Sequence, residues 1–182
     1  MSKKILFTFL ILVVIGVFGV RFLRNSKSSG VSRSTTMEIK SPAFGQNGLI
    51  PERYTCDGAN VNPPLTISGA PGEAKSFVLI VDDPDAPRGT WVHWTIYNIS
   101  PQTKAIAERS VPQSAIQGTT SFGKPGYGGP CPPSGMHRYF FKLYALDTVL
   151  SAEAALDKTE VENLIRGHIL AQTELIGRYG RD

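Results

Sequence analysis

Five short apolar runs, each closed by a cluster of Pro, Gly or Asn, constrain this chain more than any other feature. They are Met37–Lys40, Leu65–Ser68, Ser76–Asp82, Trp91–Ile99 and His137–Leu146. Between them lie turn clusters such as Asn62-Pro63-Pro64, Ala70-Pro71-Gly72 and Pro84–Gly89. Runs of this length and punctuation predict strands, and several in succession predict a mostly β fold, an antiparallel β-sandwich. Helix is expected only toward the C-terminus. There Val161, Leu164, Ile165, Ile169, Leu175 and Ile176 follow 3.6-residue spacing, and Thr159 with Glu162 suggests a capping box. A second short helix is expected over Ser151–Leu156.

The folded part does not begin at residue 1. An apolar run from Ile5 to Val20 follows Lys3 and Lys4 and is 16 residues long, short of the roughly 20 of a comfortable membrane span. Arg21-Phe22-Leu23-Arg24 can extend it by snorkelling. We expect residues 1–24 to be a signal anchor or a cleaved signal peptide, so that the domain leaves the cytoplasm. Residues 25–36, NSKSSGVSRSTT, hold seven Ser or Thr in twelve and read as a flexible linker. Its reach is about 20 Å. One domain is expected from 37 to 182.

Net charge of +4 hints at nucleic acid until the charges are located. Lys3, Lys4, Arg21, Arg24 and Lys27 lie in the first 30 residues with no acid among them; the rest of the chain has 14 basic against 15 acidic residues. No basic block interleaved with aromatics remains, and nucleic acid is excluded as a partner. The two cysteines, Cys56 and Cys131, are even in number and sit in a domain expected to be exported, which favours a disulfide.

Polar groups collect at three strand ends. In Phe77-Val78-Leu79-Ile80-Val81-Asp82-Asp83, alternation puts Phe77, Leu79, Val81 and Asp83 on one face and Asp82 with Val78 and Ile80 on the other. Pro84 and Pro87 then stiffen the exit and keep Asp85 close. In the next run His93 shares a face with Trp91, Thr95 and Tyr97. His137 opens the last strong run on the face of Tyr139, Phe141, Leu143 and Ala145, directly after a loop rich in Gly and Pro. His168 falls on the expected helix's apolar stripe and reads as structural. Glycines 128, 129 and 135 permit close backbone approach and free N–H groups, a backbone that can cradle an anion. Asp83 and Asp85 would repel a phosphate, and a zwitterionic head group resolves that conflict.

These motifs resemble the phosphatidylethanolamine-binding protein family, most closely its prokaryotic, Raf kinase inhibitor-like branch. The resemblance rests on DPDAP at Asp83–Pro87, W-x-H at Trp91–His93, and GPCPPSGMHRYFF at 129–141. Cys56-Asp57-Gly58, Asn62-Pro63-Pro64 and Gly167-His168-Ile169-Leu170-Ala171 also fit, and the match runs from about Met37 to Arg178. It implies a β-sandwich with a small anion-binding pocket, lined here by Asp83, Asp85, Pro87, His93, Pro132, Pro133, His137 and Tyr139. If Cys131 bonds Cys56, the pocket rim is pinned to the CDG turn.

The expected function is non-enzymatic binding of a phosphate-bearing small molecule or phospholipid head group such as phosphoethanolamine, with no cofactor and no metal. The alternative is inhibition of an extracytoplasmic serine protease or another protein target through the rigid loop. An enzyme would need Cys131 and His137 as nucleophile and base, or His93, His137 and an Asp around a metal. No H-E-x-x-H, G-x-S-x-G or P-loop is present. The sequence leaves a protein target and a homodimer open, and connects the chain to the membrane through its N-terminal segment.

Overall fold

The computed structural model describes residues 36–152 and 155–182. In chain order the strands are β1 (Glu38–Lys40), β2 (Gly48–Leu49), β3 (Leu65–Ser68), β4 (Ser76–Asp83), β5 (Trp91–Ile99), β6 (Ala105–Ile106), β7 (Ile116–Gln117) and β8 (Gly135–Leu146); α1 (Lys158–Ile165) and β9 (Ile169–Arg181) follow. The mostly β expectation is met, and the five predicted runs are strands. The sheets are open, and the larger one is mixed. A three-stranded antiparallel sheet runs β1-β3-β6, and a six-stranded sheet runs β2-β9-β8-β4-β5-β7. Every pairing in the second is antiparallel except β2 with β9, which is parallel.

Strand β4 organises the molecule because both of its faces are covered. Phe77, Leu79 and Val81 enter the main core with Ile39, Leu65 and Ile67 of the small sheet and Trp94, Phe141 and Leu143 of the large one. Val78 and Ile80 enter a second cluster with Tyr97, Leu146, Val161 and Ile165. All eight residues of β4 are buried, which is why its sequence is continuously apolar from Phe77 to Val81.

The end of the chain differs from expectation. α1 stops at Ile165, Gly167 takes φ +85°, and the rest is a 13-residue strand. Ile169, Leu175 and Ile176 match the helical spacing by coincidence. From Ala171 onward the inward residues are the odd ones, and Ala171, Leu175 and Tyr179 pack on the main core. Pairing with β8 along nearly its whole length overrides the local pattern. The capping box is built from Asp157 and Glu160, two residues before the expected pair: Glu160 N–H donates to Asp157 at 2.9 Å, and Asp157 N–H to Glu160 at 2.8 Å. His168 sits in the turn after α1, exposed, with Nδ1 2.8 Å from Asp147 Oδ1. The described residues of Ser151–Leu156 are not helical. The apolar run Ile5–Val20 and nearly all of the linker lie outside the described residues. Among the described residues no helix is long and apolar enough to cross a membrane.

Candidate functional site

The paired aspartates at the end of β4 point to opposite faces, as strand alternation requires. Asp82 is fully buried beneath α1, where Lys158 Nζ lies 2.7 Å and Lys142 Nζ 2.9 Å from its carboxylate. That cluster fastens the helix to the sheet. Asp83 continues the main-core face past Val81 and stops at the wall of a pocket of about 500 Å³.

Asp83 holds His137. Its Oδ2 is 2.7 Å from His137 Nδ1, and its Oδ1 accepts the Asp85 N–H at 2.8 Å. The two side chains are 4% and 10% exposed, so the pair is fixed in a low-dielectric corner with both carboxylate oxygens occupied. Asp85 is turned to the outside. It accepts from the backbone N–H, Nε and Nη2 of Arg138 at 3.0, 2.9 and 2.7 Å. The Arg138 hydrogen bonds hold the Asp85 carboxyl down at about 2.

A β-bulge delivers the second histidine. Pairing passes from Val81 opposite Trp94 to Asp82 opposite Val92, which leaves His93 as the extra residue in β5. The bulge breaks the expected face assignment. Trp91 and His93 both line the pocket, whereas Tyr97 packs in the second core cluster and Thr95 pairs with Ile80. His93 Nδ1 lies 2.6 Å from the Gly128 carbonyl, which can only accept, so Nδ1 carries the proton and Nε2 is left as an acceptor. Burial pushes the His93 pKa below its usual value, partly offset by the Gly128 carbonyl and the nearby Asp83 charge. Burial therefore favours the neutral ring. Its ring meets Tyr139 and Phe122 edge-on at 5.1 and 5.6 Å.

The loop from Gly128 to Ser134 forms the facing wall, and its rigidity has visible causes. Cys131 is bonded to Cys56, with Cα atoms 5.4 Å apart. Pro130 carbonyl accepts from Cys56 N–H at 3.0 Å. Asp57, beside the bridge, binds Arg181 at 3.0 Å and the Tyr179 hydroxyl at 2.7 Å. The glycines serve close packing here, which differs from the expected amide cradle. Gly128 N–H donates to the His93 carbonyl at 2.9 Å and Gly129 N–H to Asn60 Oδ1 at 2.7 Å, so neither is free for an anion. A Cβ at Gly129 would meet the Tyr54 carbonyl at 2.4 Å, and one at Gly128 the Phe122 ring at 2.2 Å.

Of the eight pocket residues expected from the sequence, Asp83, Pro87, His93, Pro132, Pro133 and His137 line this cavity. Asp85 stands outside it with Arg138, and Tyr139 lies fully buried behind His93. The sequence reading missed Arg88 and Phe122, which also form the wall, and did not place Cys131 itself there. Phe122 was legible as an aromatic in a Gly- and Pro-flanked turn. Trp91 and Phe122 meet at 5.5 Å in a T-shaped contact that closes the apolar side. Among the described residues no group of three or more His, Cys, Asp and Glu is placed to hold a metal ion.

The resulting chemistry is a partly polar, partly aromatic cleft. It offers His137, His93 and the Arg88 guanidinium to a ligand, with proline and aromatic walls for an apolar group.

Comparison with known proteins places this geometry in context. The family profile described as phosphatidylethanolamine-binding protein matches residues 40–180. A UPF0098 protein of Methanothermobacter thermautotrophicus is 51% identical over 150 residues, covering 80% of this chain and 99% of that one. The crystal structure of CT736 from Chlamydia trachomatis, titled a putative phosphatidylethanolamine-binding protein homologue, superposes with TM-score 0.79 at 45% identity, covering 82% of this chain and all of that one. YbcL of E. coli, titled a new member of the mammalian family, gives TM-score 0.75 at 30% identity, covering 80% of this chain and 99% of that one.

Proposed function

The chain belongs to the phosphatidylethanolamine-binding protein family, and from that premise we propose that it binds a phosphate-bearing small molecule or phospholipid head group in the Asp83–His93–His137 pocket, without turnover. The observation that carries this reading is His137, held by the buried Asp83 at 2.7 Å and presented to a cleft that Arg88 also lines. A fixed imidazole beside a guanidinium suits an anion with several acceptor oxygens. The one thiol pair near the pocket is oxidised, so Cys131 has no nucleophile to offer while the bridge stands.

Titration calorimetry of the full-length protein with inorganic phosphate tests the reading. Saturable binding is expected in the wild type and its loss in His137→Ala and Asp83→Asn, with circular dichroism confirming that both variants fold. Equal binding by all three proteins refutes it.

A second reading has one observation in its favour. Pro133 and Ser134 of the loop braced by the disulfide are exposed, with Gly135 and Met136 exposed at the start of β8 beside them, as an inhibitory segment for a serine protease or another protein target would be. Variants of the pocket histidines would leave such inhibition intact. The disulfide also supports an oxidising compartment for the domain, with residues 1–24 as its leader or membrane anchor.

A further inference from the structure

We propose that the pocket selects a phosphomonoester that carries no amine, and that Arg88 sets this preference. The proposal rests on the phosphate-binding reading above and narrows its ligand class.

Counting the carboxylates decides against a zwitterion. An ammonium group entering the cleft must give up water, and it gains only if an unpaired carboxylate or carbonyl replaces that water. Asp83 is the one carboxylate lining the cavity among the described residues. One of its oxygens faces His137 Nδ1 at 2.7 Å, and the other accepts the Asp85 N–H at 2.8 Å. Asp85 is engaged through both oxygens by Arg138. Asp82 lies on the opposite face of the sheet, between Lys142 and Lys158. Asp82 and Asp85 are therefore out of reach of a ligand ammonium, which would have to share Asp83 with His137 and the Asp85 N–H.

Arg88 is the opposite case. It lines the cavity, is exposed, and has no hydrogen-bond or ion-pair partner among the described residues. A guanidinium in that state attracts phosphate oxygens and repels an ammonium a few ångströms away. The neutral His93 keeps Nε2 as an acceptor, which suits the P–OH that a monoester retains and a diester lacks.

The aromatic wall is the feature that argues the other way, because rings hold ammonium groups through cation–π contacts. Here Phe122 is already engaged by Trp91 and His93 in edge-to-face contacts at 5.5 and 5.6 Å. Arg88 supplies a competing cation at the same wall. With Pro132 and Pro133 these rings present an apolar surface to an alkyl or aryl ester group.

The test compares ethyl phosphate with phosphoethanolamine, which differ chiefly in the amine, by calorimetry on the full-length protein. Ethyl phosphate is expected to bind about tenfold tighter or more. Arg88→Gln should weaken ethyl phosphate by about tenfold and narrow the ratio. Arg88→Glu, which gives an ammonium a carboxylate partner, should invert the preference. Arg88 is exposed, so thermal melts should show both variants folded. Phosphatidylcholine vesicles containing phosphatidic acid, or phosphatidylethanolamine, repeat the comparison for a lipid source. Retention of the phosphatidic acid vesicles, or binding of free ethyl phosphate, over the amine-bearing counterpart supports the proposal. Phosphoethanolamine bound as tightly as ethyl phosphate overturns it and leaves the pocket reading standing. Failure of every phosphate probe to bind overturns both.

Discussion

Replacing both Cys56 and Cys131 by Ser should lower stability by several kcal/mol while leaving the native pocket in place. The bridge joins residues 75 apart, and the closed segment contains β3 through β7. On the chain-entropy model a loop of that length removes about 15 cal/mol/K from the denatured chain, or about 4.5 kcal/mol at 25 °C. For a domain of this size each kcal/mol moves the melting temperature by about 2–4 °C, so a fall of about 9–18 °C is expected. The native geometry should persist because other bonds join the same two segments. Cys56 N–H donates to the Pro130 carbonyl at 3.0 Å, Gly129 N–H to Asn60 at 2.7 Å, and the Tyr127 hydroxyl to the Tyr54 carbonyl at 2.9 Å. The assay is urea unfolding of the oxidised wild type and the double-Ser protein, followed by tryptophan fluorescence. If the effect lies in the denatured chain, the m-value should rise as well, because an open chain exposes more surface. A loss below about 1 kcal/mol with an unchanged m-value would refute the reasoning and assign the rim's stability to its hydrogen bonds.

Other substitutions probe separate parts of the argument. Asp82→Asn leaves Lys142 without its counter-charge beneath α1 and Lys158 with only Glu162 at 3.5 Å, and should cost about 3 kcal/mol, the low end for a buried pair because both lysines remain partly exposed; adding Lys158→Met should recover part of it, and a denaturation series on the two proteins measures both. Gly129→Ala forces a Cβ to 2.4 Å from the Tyr54 carbonyl and should lower the melting temperature sharply, whereas Gly128→Ala meets only the movable Phe122 ring and should weaken phosphate binding more than stability. Because the His93 pKa is depressed in the fold, the unfolded chain takes up its proton first as pH falls. Stability from this group is full above about 6.5 and declines below it. His93→Asn should flatten that part of the stability–pH curve, and an unchanged slope would assign it to another histidine. Asp85, held at about 2, contributes stability present above about 4 that is lost as pH falls toward 2, and Arg138→Ala should remove that acid limb.

The parts of the fold that follow from a repeating physical rule were legible in the residues. Period-two alternation separated Asp82 from Asp83 correctly, and continuous burial marked β4 as a strand covered on both faces. Where one residue interrupts the rule, the reading failed. The extra residue at His93 reassigns Trp94 through Tyr97, and a second irregularity before Ile99 returns that residue to the main core; nothing local announces either, because the register is set by β4 across the sheet. At the C-terminus Gly167 was a legible stop signal, yet three coincidental apolar positions carried the helical pattern past it. The site was legible as a set of residue types and less so as geometry. Asp85 stands near the pocket in sequence, but Arg138, which alternation turned away from His137, draws it outside. Arg88 and Phe122 carry no motif of their own, and their place in the wall depends on how two distant turns meet.

The parallel pairing of β2 with β9 has a consequence for how the chain is made. β9 sits between β8 and β2, so the large sheet closes through a segment that a ribosome delivers after every strand it joins. Until then the 12-residue β8 keeps one edge unpaired, and Gly48 and Leu49 have nothing to dock against. A long open edge in a nascent chain invites pairing with another chain. The nascent domain therefore remains dependent on its final segment, and a chaperone that shields the β8 edge would act at the step where misassembly is most costly.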